Sequence, residues 1–211
     1  GSEINDRMVG PRENIRMGAT ASYAVDRINE RLEDGEELRG DYFFDEEAER
    51  SIAEEIFEGT LLKAKNEHEE SKVEYLGYLF ANIAFDETIG QNEANQLISM
   101  AERLTYQQLC LISLLPEERR PANMKQTKLD GTSQVTWSKL SLLTDLYELY
   151  RMSLIYCQPP ESDQPRAILD FASVIPNYMK LRPFGNKLYQ LMDLSRIPKS
   201  KIMQMAVQLS G

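Results

Sequence analysis

Between Ser71 and Phe85 the apolar residues Val73, Leu76, Leu79, Phe80, Ile83 and Ala84 recur at intervals of three and four, the spacing that lines one side of an α-helix. Gly77 and Ala81 add small side chains to the same stretch. A glycine inside a helix costs about 1 kcal/mol relative to alanine, so Gly77 amid so much apolar surface predicts a second helix crossing closely there. The stretch reads as the central helix of a bundle.

The same periodicity predicts further helices on both sides. Ala21, Ala24, Val25, Ile28 and Leu32 mark a helix over 19–32 that Asp34-Gly35 stops, after a loose entry segment containing Gly10-Pro11 and Gly18. Tyr42, Phe43 and Phe44 read as a hydrophobic plug under the next helix. Asp45 is placed to cap that helix, with Glu46, Glu47 and Glu49 in its first turn and Ile52, Ile56, Phe57, Thr60, Leu61 and Ala64 on its buried side. Ala94, Leu97, Ile98 and Ala101 define a helix from about Asn92. Thr105 and Gln108 form a capping-box pattern before Leu109, Leu111, Ile112, Leu114 and Leu115, a run that wants burial on nearly all sides until Pro116 ends it.

Residues 116–134 are polar and read as a long loop. Thr136 or Ser138 then opens a helix carrying Leu140, Leu143, Leu146, Tyr147, Leu149 and Tyr150. Residues 154–157 and 167–175 read as two β-strands, Pro183 starts a helix with Leu188, Leu191 and Met192, and Ile202, Met205, Ala206 and Leu209 define a last helix over 199–209.

Charge changes this picture by location. The 211 residues carry a net charge of −10, yet Glu30 to Glu70 alone holds sixteen acids against five bases. Such a region repels nucleic acid and anionic membrane surfaces. The last third differs: Lys180, Arg182, Lys187, Arg196, Lys199 and Lys201 face only Asp193 within their stretch, a set suited to phosphates or to an acidic partner. Cys110 and Cys157 both lie among apolar neighbours and read as reduced packing residues of a cytoplasmic protein. No apolar run approaches the roughly 20 residues that span a bilayer. Gly1-Ser2 resembles a tag-removal scar, so a longer natural chain is expected, its upstream part unseen.

Two resemblances follow from particular residues. The element order from Thr105 onward, DLYELYRMSLI at 145–155 and LRPFGNKLYQLM at 181–192 are similar to a winged-helix domain, with Ser153 where its pattern has glycine and Arg182 where it has threonine. Ser71-Lys72, Tyr75, Leu79, Ala81-Asn82 and Leu104-Thr105 resemble a set of uncharacterised bacterial helical proteins of the Abi-alpha type, to some of which roles in phage exclusion are attributed. That resemblance implies a context of phage defence and supplies no catalytic residue. Together the readings predict a mainly α protein: an entry segment over 1–18, an acidic helical bundle over 19–104, and a winged-helix-like α+β unit with a short two-stranded hairpin and a C-terminal helix over 105–211.

Candidate chemistry is sparse. His68 is the single histidine, in Asn66-Glu67-His68-Glu69-Glu70, and H-E-x-x-H lacks its second histidine because position 72 is Lys. A solvated charged face is the expected reading, with no metal and no cofactor. One histidine supports no acyl-transfer triad, and Gly131-Thr132-Ser133 is too short to cradle a phosphate. Tyr147, Tyr150, Tyr156, Phe171, Tyr178 and Phe184 are expected in core packing rather than on a nucleic-acid surface. The sequence therefore favours a non-enzymatic regulatory or protein-interaction module, with self-association among its options and Lys180, Arg182, Lys187, Arg196, Lys199 and Lys201 as contacts. A DNA-binding winged-helix regulator using 159–164 as its wing is the alternative, and the soluble part of a membrane-tethered defence effector is a third.

Overall fold

The computed structural model describes residues 10–45, 50–121, 124 and 136–210. It is mainly helical, with eight α-helices among these residues and a small two-stranded antiparallel sheet in the C-terminal half. The chain divides into two compact units, residues Gly1–Tyr106 with Leu191–Asp193, and Gln107–Gln190 with Leu194–Gly211.

In the first unit, α1 (Gly10–Glu33) packs on α2 (Ile52–Asn66) and α3 (Val73–Ile83), and α4 (Gln91–Arg103) packs on α2 and α3. Helix α3 is central as its spacing predicts: Leu76, Leu79, Ala81 and Ile83 have no exposed surface. Helix α1 begins earlier than expected, so residues 10–18 are helical rather than a loose entry, and residues 1–9 lie outside the described residues. Its end is the expected one. Gly35 sits at φ +85°, with Glu36 N–H donating to Arg31 O and Gly35 N–H to Leu32 O, the paired bonds that close a helix on a left-handed residue.

Helix α2 starts later than expected. Its cap is Ser51, whose Oγ accepts from Glu54 N–H while the Glu54 carboxylate accepts from Ser51 N–H; Asp45 instead closes the preceding 3-10 turn through its own N–H, and Glu46, Glu47 and Glu49 lie outside the described residues. Of the proposed plug only Phe43 is buried; Tyr42 and Phe44 are exposed. Three consecutive residues of a tight 3-10 turn, Tyr42–Phe44, point in different directions, so one of them faces inward.

The second unit contains most of α5 (Tyr106–Leu114), α6 (Trp137–Arg151), β1 (Ile155–Cys157), β2 (Met179–Leu181), α7 (Pro183–Leu191, its last residue in the first unit) and α8 (Lys199–Ser210). As its apolar run demands, α5 is buried all round from Gln108 to Leu114, Ser113 included. Thr136 caps α6, accepting from Lys139 N–H. The helix closes on Ser153, left-handed at φ +60°, with Leu154 N–H donating to Leu149 O and Ser153 N–H to Tyr150 O. Strands β1 and β2 pair antiparallel with Ile155 opposite Leu181 and Cys157 opposite Met179.

The second strand is therefore not at 167–175. Asp170 accepts from Ser173 N–H and bends that segment into a 3-10 turn, while Ile168, Val174 and Ile175 are buried as parts of a loop. Apolar spacing reported burial there, and the local turn chemistry of Asp170 decided against a strand.

Candidate functional site

The six basic residues singled out in the sequence occupy separate places in the second unit. Lys180 lies on β2 with its Nζ 3.9 Å from the Glu117 carboxylate. Arg182 follows β2; its Nε donates to Ile155 O, and its guanidinium sits 5.7 Å from the centre of the Tyr156 ring. Lys187 is half-buried on α7, and Arg196 is exposed in the 3-10 turn Leu194–Arg196. Lys199 and Lys201 are both exposed in the first turn of α8. Asp193, the one acid within the stretch, pairs at 2.7 Å with Arg27 of α1.

Helix α8 brings two of the six together with apolar surface. Ile202, Ala206 and Leu209 face inward, and α8 packs on α6. Lys199, Met203 and Val207 recur every four residues along one outer ridge, where Met203 is 42% and Val207 66% exposed. Lys201, Gln204 and Gln208 stand exposed beside them. The face can offer cations at one end and an apolar ridge along its length, and nothing on it resembles a reacting group.

A polar pocket of about 700 Å³ in the same unit is lined by Glu117, Arg120, Tyr156, Gln158, Asn177 and Lys180, among others. Arg120 braces its wall: Nη1 donates to Asn177 O at 2.7 Å, and Nη2 to Leu115 O and Met179 O at 2.7 and 2.5 Å. Burial lowers the Arg120 pKa from its usual value, against the opposing pull of Glu117. A guanidinium bonded to three carbonyls ties the start of β2 to the end of α5.

His68 sits in a small pocket of the first unit, about 230 Å³, with Glu67, Glu69, Lys72 and Glu102. The solvated face expected there is half right. His68 is 88% exposed, but the Glu67 and Lys72 side chains are 4% and 2% exposed and form an ion pair. Lys72 Nζ also donates to Glu102 O, and Glu67 Oε1 accepts from Glu69 N–H. Burial pushes the Glu67 carboxyl up, yet the bonds from Lys72 and Glu69 outweigh it and hold it below the usual carboxylate range. Ligand atoms of Glu67, His68 and Glu69 lie within 4.8 Å of one another. Both carboxylates are already engaged, Glu69 by Tyr106 N–H at 2.8 Å. The arrangement is a structural clasp within the first unit, joining the end of α2 to the start of α3, to Glu102 of α4 and to Tyr106. Lys72 at the head of an apolar helix was the one available signal: a lysine in register with buried Val73 and Leu76 needs a partner.

Of the six aromatic residues expected in packing, only Tyr178 is buried; Phe171 is exposed and the other four are half-buried. Tyr147 and Tyr150 stack on each other, and Tyr147 Oη donates to Leu169 O. Both cysteines are buried as expected, and burial raises the Cys157 thiol pKa. Among the described residues no helix is long and apolar enough to cross a membrane. In comparisons with protein-family models, curated proteins and solved structures, nothing matches this chain, so the two resemblances rest on the quoted residues alone.

Proposed function

We propose that this chain is a non-enzymatic protein-interaction module that presents the outer face of α8 to an acidic, amphipathic protein segment. The observation that supports it is the exposed ridge of Lys199, Met203 and Val207, flanked by Lys201. Two lysines in a helix's first turn oppose its dipole at a cost of about 0.3–1 kcal/mol each, and a charge set against its local rule is expected where a partner compensates it. Methionine and valine beside those cations suit a helix with its own apolar stripe and acidic flank. Duplex DNA would use the lysines and leave the ridge idle.

The test compares two labelled probes, an acidic amphipathic helical peptide and a short DNA duplex, by anisotropy at low and moderate salt. Peptide binding that is lost in both K199E/K201E and M203S/V207S supports the reading. DNA binding at least as tight, lost in K199E/K201E and intact in M203S/V207S, overturns it in favour of a DNA-binding regulator. Binding of neither probe overturns α8 as the docking face.

A further inference from the structure

Helix α1 has a packed side and an open one. Thr20 and Ala24 face inward at 0% and 1% exposure, whereas Ile15, Val25 and Leu32 are 67%, 51% and 43% exposed. With Gly18, Ser22 and Asn29 these three form two interleaved seven-residue series, Ile15-Ser22-Asn29 and Gly18-Val25-Leu32. Steps of alternating three and four over this length trace the seam of a left-handed helix pair. The seam runs along the side of α1 away from α2 and α3.

We propose that the seam is a self-association surface on which α1 of one copy packs antiparallel against α1 of a second copy. Antiparallel pairing sets Ile15 against Leu32, Gly18 against Asn29 and Ser22 against Val25, each contact repeated by the two-fold axis. Arg12, Ala19, Asp26 and Glu33 form the series flanking the seam, and Arg12 and Glu33 are exposed at opposite ends of the helix. The antiparallel arrangement brings Arg12 of each copy beside Glu33 of the other, two opposite-charge pairs in one dimer. Parallel pairing gives none: it sets Asn14 beside Ala19, Ala21 beside Asp26 and Ile28 beside Glu33, and stacks Asn29 on its own copy. Charge complementarity thus selects both the occupant and the direction. Gly18 and Ser22 let the backbones approach, and Asn29 opposite Gly18 has room for its amide. Such an isologous contact closes at two copies. This surface is separate from α8 and stands whichever way the α8 experiment falls.

The test is sedimentation velocity on the full chain from low micromolar to near-millimolar concentration. The expected result is a concentration-dependent dimer that V25D/L32D converts to monomer, with the helical spectrum retained and an unfolding midpoint close to the parent's at dilutions where both are monomeric, because both positions are exposed. R12E alone and E33R alone each weaken the dimer by about threefold to tenfold, as two lost surface pairs imply, and R12E/E33R restores it. A chain monomeric throughout, a dimer untouched by V25D/L32D, or a dimer that R12E/E33R fails to restore overturns the proposal.

Discussion

A Cβ placed on Gly77 would lie 2.7 Å from the carbonyl oxygen of Thr20. It would also stand 2.8 Å from Tyr23 Cβ and 3.0 Å from Ala24 N, so the backbone of α1 occupies the space that a side chain on α3 would need. The close crossing expected from a glycine amid apolar surface is thus the contact of α1 with α3.

Gly77→Ala is therefore expected to destabilise the first unit by about 1–3 kcal/mol, because overpacking outweighs the roughly 1 kcal/mol gained in helix propensity. Gly59→Ala in α2 is the control: nothing lies within 4 Å of the added Cβ, so stability should rise by about 0.5–1 kcal/mol. Urea midpoints of the two variants should move in opposite directions.

The Glu67–Lys72 pair is buried, and breaking it from one side leaves an uncompensated charge. Lys72→Met alone should cost about 3–5 kcal/mol, and Glu67→Gln with Lys72→Met should recover much of that loss. His68→Ala, at an 88% exposed side chain, should stay within about 0.5 kcal/mol of the parent. A double-mutant cycle on thermal unfolding measures all three.

Acid should act through the same pair. The folded Glu67 carboxyl titrates below its usual value, so the folded state binds its proton less readily than the unfolded chain does. Its contribution is complete above the unfolded carboxylate value of about 4.3 and is lost as the pH falls through the lower folded value. The stability gap between the parent and Glu67→Gln should be constant from neutral pH down to that range and close below it, as melting temperatures across a pH series will show.

Ser153 holds a left-handed conformation that costs a residue with a Cβ about 1–2 kcal/mol. Ser153→Gly should raise the stability of the second unit by about 1 kcal/mol. Asp193, also left-handed at φ +48°, should behave oppositely, since Asp193→Gly gives up the ion pair with Arg27. Melting temperatures of the two variants should shift in opposite senses.

Both thiols should be slow to react. Cys110 is fully buried and Cys157 nearly so, with the Cys157 pKa raised by that burial. A colourimetric thiol reagent should label neither until denaturant is added, and the second-unit transition should coincide with labelling.

Helical spacing by itself determined the body of each helix in both halves, though not the starts of α1 and α2, because each apolar stripe requires a partner whatever that partner is. The burial of α5, the stops at Gly35 and Pro116, the strand at 155–157 and the close approach at Gly77 were legible in the same way, each being a local demand of residue type. Tertiary structure alone decided what depends on distant residues meeting. The Ser51 cap is local, a Ser-x-x-Glu box written in the chain, but the second strand went to Met179–Leu181 because there the backbone finds β1. The fold turned Glu67 and Lys72 from a charged face into a clasp and set Asp193 against Arg27 of α1, 166 residues away in the chain. A sequence shows which charges are near in chain order, but a charge leaves water for the partner that the fold brings within reach, and only the packed helices fix that choice.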